Sequence, residues 1–81
     1  MVTTQELIGR KIRAMRALAG MTQEALSHAS GVRQAHISRY ERGDWKAINP
    51  EHLLAISDSL QIPVDRLLPG FGERPGKEVA I

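Results

Sequence analysis

The chain has 81 residues, no cysteine and a formal net charge of +2 at neutral pH. A chain this short buries only roughly 60–65% of its unfolded surface, so one compact core is expected, unaided by disulfides or a thiolate metal site; the missing cysteines suit a reducing compartment. No apolar run approaches the roughly 18 residues of a membrane span, and the first residues lack a signal-peptide block, so a cytoplasmic location is expected.

Helical periodicity runs through the chain, and β-branched stretches with period-two alternation are missing. The first helix opens with Thr3 as N-cap and Glu6 three residues on, a capping box, and Val2 is placed to staple onto Leu7. Ile8, Ile12, Met15 and Ala19 make one apolar stripe, and Gly20 ends the helix. Thr22 caps a second helix that carries Glu24 in its first turn, turns Leu26 and Ala29 inward and closes at Gly31. A third helix is predicted from about Gln34 to Arg42, stopping at Gly43, with a loop over Asp44–Ile48. Asn49-Pro50 opens a fourth helix, the proline at its first position, with Leu53, Leu54, Ile56 and Leu60 as its apolar face. Ile62-Pro63 leads into a short fifth helix, Val64 to Leu68. From Pro69 onward, Gly, Pro and charge alternate without period, which reads as a flexible tail over 69–81. The expectation is an all-α, compact five-helix bundle over residues 1–68.

Charge is unevenly spread. Residues 1–49 hold eight Lys/Arg against four acids, whereas residues 50–81 hold three against five. A basic half joined to an acidic half suits one face made for a polyanion. On a wheel of about 100° per residue centred on Ile37, Tyr40 falls about 60° to one side and Glu41 about 40° to the other. The opposite side collects Ala35, Arg39 and Arg42, with His36 and Ser38 at its edges and Gln34 at the exposed start. One edge of this helix locks to the core while the other offers donors and acceptors, the layout required to lie in the major groove of DNA.

The stretch "TQEALSHASGVRQAHISRYERG" resembles the Cro/phage-repressor (lambda-repressor-like, XRE) type of helix-turn-helix in its Gln23, Leu26, Gly31, Val32, Ile37, Tyr40, Glu41 and Gly43. The likeness covers residues 5–68. It implies a sequence-specific, double-stranded-DNA-binding regulator of transcription, repressor or controller in type, working without a cofactor or metal. By resemblance, Arg33, Gln34, Ala35 and Arg39 meet base edges, with Ser38 a lesser candidate. Gln pairs with adenine, Arg with guanine, and a methyl group touches thymine. Phosphates are expected at the start of the second helix (Thr22, Gln23) and at His36, Arg42 and Lys46. Trp45 either flanks this set or packs on the core; Arg10, Lys11 and Arg13 read as solvated charges.

Two positions depart from the family pattern. Ser27 replaces the usual alanine at the close contact between the two helices. Arg33 stands where Ser or Thr commonly caps the recognition helix, so that cap is lost. The family also pairs the positions of Arg16 and Glu41, and the wheel brings both to the same boundary of the core; a partly buried salt bridge fixing the third helix against the first is expected.

An enzyme is not expected. His28, His36 and His52 are scattered surface residues, and no catalytic triad or Gly-rich phosphate loop appears. An antitoxin or protein-interaction module is the alternative, with Leu7, Ala14 and Leu18 as a second apolar strip able to meet a toxin or another partner protein. By the same resemblance, Val64, Leu67 and Leu68 on the fifth helix are expected as a homodimer surface, which would set two recognition helices about 34 Å apart on a palindromic site.

Overall fold

The computed structural model describes residues 2–69, and the tail expected over 69–81 lies outside them apart from Pro69. Four α-helices follow one another, α1 (Thr4–Leu18), α2 (Gln23–Ser30), α3 (Gln34–Arg42) and α4 (Pro50–Ser59), and a 3-10 turn (Val64–Leu67) comes after them. No strand occurs among the described residues.

Three of the helices begin where a side-chain oxygen takes amides that the helix itself leaves unbonded. Thr3 Oγ1 accepts from the Glu6 amide and Glu6 Oε1 accepts from the Thr3 amide, both at 3.0 Å. Thr22 accepts from the Ala25 amide at 3.0 Å, and Asn49 accepts from the Glu51 amide at 2.8 Å. The exception is α3, whose N-cap, Arg33, makes no such bond. Helix ends are equally local. Gly20 and Gly43 take φ of +72° and +75°, so the Met21 amide reaches back to the Arg16 carbonyl and the Asp44 amide to that of Arg39. At the end of α4 the same closure is made by Gln61 at φ +58°, with the Ile62 amide donating to the Ser57 carbonyl at 3.1 Å.

The fifth α-helix expected over Val64–Leu68 is instead the 3-10 turn. The Arg66 amide donates to the Pro63 carbonyl and the Leu68 amide to that of Asp65, both at 3.0 Å, three residues back rather than four. Pro69 is the cause. A residue before proline is driven out of the helical region, and Leu68 lies extended at φ −94° and ψ 144°, leaving too few residues to continue as α-helix.

Ile8, Ile12, Leu26, Val32, Ile37, Tyr40, Ile56, Leu60 and Leu67 form one core. Leu67 is therefore lost to the outer surface proposed for it with Val64 and Leu68. Three other residues expected inside lie outside. Ala19, the last of the stripe on the first helix, is exposed at the C-cap of α1. Ala29 is exposed because the covered side of α2 runs through Gln23, Leu26, Ser27 and Ser30. Leu54 is 54% exposed, since two residues before Ile56 is about 160° around the helix. Ser57 takes the inner place, and its buried hydroxyl donates to the Leu54 carbonyl at 2.9 Å.

Helix α3 packs along α1 and, less extensively, along α2, while α4 packs on α2 and the 3-10 turn. At Gly9 the approach of α1 to α3 is backbone to backbone: a Cβ there would lie 2.4 Å from the Tyr40 carbonyl oxygen and 2.5 Å from that of Glu41. The turn between α2 and α3 is closed by its own hydroxyls. Ser27 Oγ donates to the Val32 carbonyl at 2.7 Å and the Val32 amide donates to Ser30 Oγ at 3.1 Å, with the Val32 side chain buried between the helices.

Candidate nucleic-acid interface

The periodicity of α3 turns Ile37 (0% exposed) and Tyr40 (6%) into the core. The far side is left to solvent: Arg33, Gln34, Ala35 and Arg39 are exposed, and Ser38 is half-buried at the margin. Arg42 is exposed and donates to the Ser38 hydroxyl; it also stands 3.9 Å from Asp44. Exposed ion pairs of this kind contribute little, so Arg42 is free to exchange partners. Lys46 is exposed on the loop that follows. An open groove of about 680 Å³ runs between the second half of α3 and this loop, with His36, Arg39 and Lys46 along it. Thr22 caps α2 and Gln23 opens it, and the Thr22 hydroxyl is engaged in that cap.

The orientation of α3 is held by a network centred on Glu41. Arg16 Nε donates to Glu41 Oε2 at 2.7 Å and Arg16 Nη2 to Oε1 at 3.0 Å, a two-pronged contact with side-chain exposures of only 16% and 5%. The third guanidinium nitrogen, Nη1, donates to the Met21 carbonyl at 2.8 Å, and Gln23 Nε2 donates to Glu41 Oε1 at 3.0 Å. One carboxylate thus ties α3 to α1 and α2. Hydrogen bonding to the Glu41 carboxylate, aided by its charge, holds the Arg16 pKa above its ordinary value against the opposing effect of burial. The Gln23 amide, expected at a phosphate, has one of its two hydrogens committed here.

On the other flank of Ile37 stands a ring cluster that helical periodicity alone does not show. His52 is not a free surface residue: its Nδ1 lies 2.6 Å from the Tyr40 hydroxyl. Trp45 packs edge-on to Tyr40 at 6.0 Å, and its indole N–H donates to the Tyr40 carbonyl at 3.1 Å, which settles it on the core. The available signal was the i, i+4 pair His36 and Tyr40, two rings on one helix face.

Arg33 offers a test of the trade between stability and surface chemistry. Its backbone, at φ −59° and ψ 141°, is already extended as an N-cap should be. Arg33→Ser is expected to raise stability by about 1 kcal/mol, an upward Tm shift of roughly 4–8 °C in thermal unfolding. A lower Tm would mean that the guanidinium supports α3 by other contacts.

Residues 12–67 match the helix-turn-helix family HTH_3. The chain is 42% identical over 65 residues to repressor protein C2 of Salmonella phage P22, covering 80% of this chain but 30% of that repressor. It is 33% identical over 76 residues to a helix-turn-helix-type transcriptional regulator of Sinorhizobium medicae, covering 90% of this chain and 54% of the regulator. The chain therefore spans 30% of the length of the first relative and 54% of the second. Among solved structures, the restriction–modification controller protein C.AhdI of Aeromonas hydrophila superposes with a TM-score of 0.74 at 25% identity, covering 79% of this chain and 96% of that one. The P22 c2 repressor in complex with a synthetic operator superposes with a TM-score of 0.71 at 42% identity, with the same coverages of 79% and 96%.

Proposed function

The chain belongs to the helix-turn-helix family, and from that premise we propose that it is a sequence-specific regulator of transcription whose α3 lies in the major groove of double-stranded DNA. The observation that carries this reading is the division of α3 into a sealed side, Ile37 and Tyr40, and a solvent side bearing Gln34, Ala35 and Arg39. A groove wide enough for a helix presents distinct donor, acceptor and methyl patterns, and these side chains match them. Arg33, Gln34, Ala35, Ser38 and Arg39 are assigned to base edges. Phosphates are assigned to Thr22, Gln23, His36, Arg42 and Lys46. The similar P22 repressor is solved on an operator, which supports duplex DNA as the ligand.

Selection of bound duplexes from a random pool, followed by titration at increasing salt, tests the reading. One enriched half-site and a linear fall of log affinity with log salt are expected; a pool that stays random and binding indifferent to salt would overturn it. Two copies on a palindromic site would place their α3 helices about 34 Å apart, and the spacing of the enriched half-sites tests that arrangement. On the enriched site, Gln34→Ala or Arg39→Ala is expected to cost about 1–3 kcal/mol, roughly 5- to 150-fold, and to relax preference at one base position. Lys46→Ala should weaken all sequences alike and lower the salt slope by about 1.

A further inference from the structure

His52 has no part in the contacts assigned so far, yet it is built into the flank of the recognition helix. Its ring stands 5.1 Å from His36 and 5.8 Å from Tyr40, centroid to centroid, and His36 stacks on Tyr40 at 6.2 Å and 23°. His36 and Tyr40 share one face of α3, about 60–100° from Ile37, while Glu41 lies about 40° away on the opposite side. The 2.6 Å contact between His52 Nδ1 and the Tyr40 hydroxyl therefore grips the flank that the Arg16–Glu41 network does not reach. Because α4 packs on α2 and the 3-10 turn rather than along α3, these rings bridge α4 to α3.

Without His52 this flank keeps Trp45 against Tyr40 but loses its tie to α4, and a helix held less firmly on one flank can roll about its axis. Two-pronged contacts to a base tolerate an error of roughly 0.5 Å and 10–20°, so a small roll would spoil base reading while leaving loose phosphate contacts in place. We propose that His52 is a positioning residue for base recognition: by holding Tyr40 and His36 it fixes the roll of α3, and with it the base edges that Gln34 and Arg39 reach. This rests on the reading of α3 as the DNA-contacting helix.

The test compares the duplex enriched by the wild-type chain with a random duplex, for Tyr40→Phe, His52→Leu, the double variant and His52→Gln. Phenylalanine keeps the ring and deletes only the hydroxyl; glutamine keeps an acceptor for it. Tyr40→Phe and His52→Leu are each expected to weaken the enriched duplex by about three- to tenfold and to change random-duplex affinity by less than about twofold. The double variant should be no weaker than the worse single, because both remove the same contact. His52→Gln should recover most of the loss. Equal losses on both duplexes, as a direct phosphate contact by His52 would give, no loss on either, or additive losses in the double variant would each overturn the proposal. If His52→Leu fails to fold, the ratio of the two affinities for Tyr40→Phe against His52→Gln decides by the same criteria. A wild-type chain that binds neither duplex would overturn the DNA reading itself, a different outcome from binding with the ratio unmoved.

Discussion

Alanine at position 9 is expected to cost the protein about 3 kcal/mol, a fall in Tm on the order of 12–24 °C for a chain of this size. Two effects of opposite sign compete there. In an exposed helix interior, glycine to alanine stabilises by roughly 0.5–1 kcal/mol. At Gly9, however, the new methyl group would lie 2.4 Å from the Tyr40 carbonyl oxygen, 2.5 Å from the Glu41 carbonyl oxygen and 2.9 Å from the Glu41 carbonyl carbon. All three atoms are backbone of α3, so no side chain can swing aside, and relief requires prising α3 from α1. That separation would stretch the Arg16–Glu41 contact as well. The clash therefore outweighs the gain in propensity. Thermal unfolding of Gly9→Ala checks this; a Tm at or above that of the parent would show that the helices are not in such contact.

Glu41→Ala is expected to be comparably damaging, at about 3 kcal/mol. Removing the carboxylate strands the Arg16 guanidinium at 16% side-chain exposure and takes the acceptor from Gln23 Nε2. A buried charge left without its partner costs more than the pair was worth. The double variant Arg16→Met/Glu41→Leu should accordingly recover part of the loss, though not all of it, because the Met21 carbonyl also loses its donor. Urea unfolding of the three variants measures the order. Operator titration should further show weakened binding by Glu41→Ala although Glu41 is assigned no DNA contact. Stability and affinity both unchanged would remove the orienting role given to this carboxylate.

What could be read from the sequence was mostly what is decided within a few residues. Thr3 with Glu6, Thr22, Asn49-Pro50, Gly31 and Gly43 each mark a boundary by chemistry local to one turn: α1, α2 and α4 begin, and α2 and α3 end, at them. The two-sidedness of α3 was equally plain, because one residue every 100° fixes which side chains share a face. The fifth helix was misread although its cause was local too: Pro69 restricts Leu68, a constraint that apolar spacing does not express. Leu54 belongs to the leucine run of α4 but, about 160° from Ile56, not to its inner face.

Other features lay beyond such reasoning. Gly9 matters only because the backbone of another helix arrives there, although a glycine inside an otherwise good helix is itself a hint that something packs closely. His52 and Tyr40 are twelve residues apart, and no periodicity links a residue of α4 to one of α3. Gln23 and the Met21 carbonyl joined the Arg16–Glu41 pair for the same reason: the four groups converge only once three segments are packed.

The bare contact at Gly9 also bears on the thermodynamics of docking. With no yielding layer of side chains there, α3 and α1 form a stiff beam whose shape is set before any ligand arrives. Association would then proceed as a rigid-body fit, with little chain ordering to offset the gain from new contacts. Calorimetry should find a heat-capacity change in proportion to the surface covered, without the excess that accompanies folding upon binding.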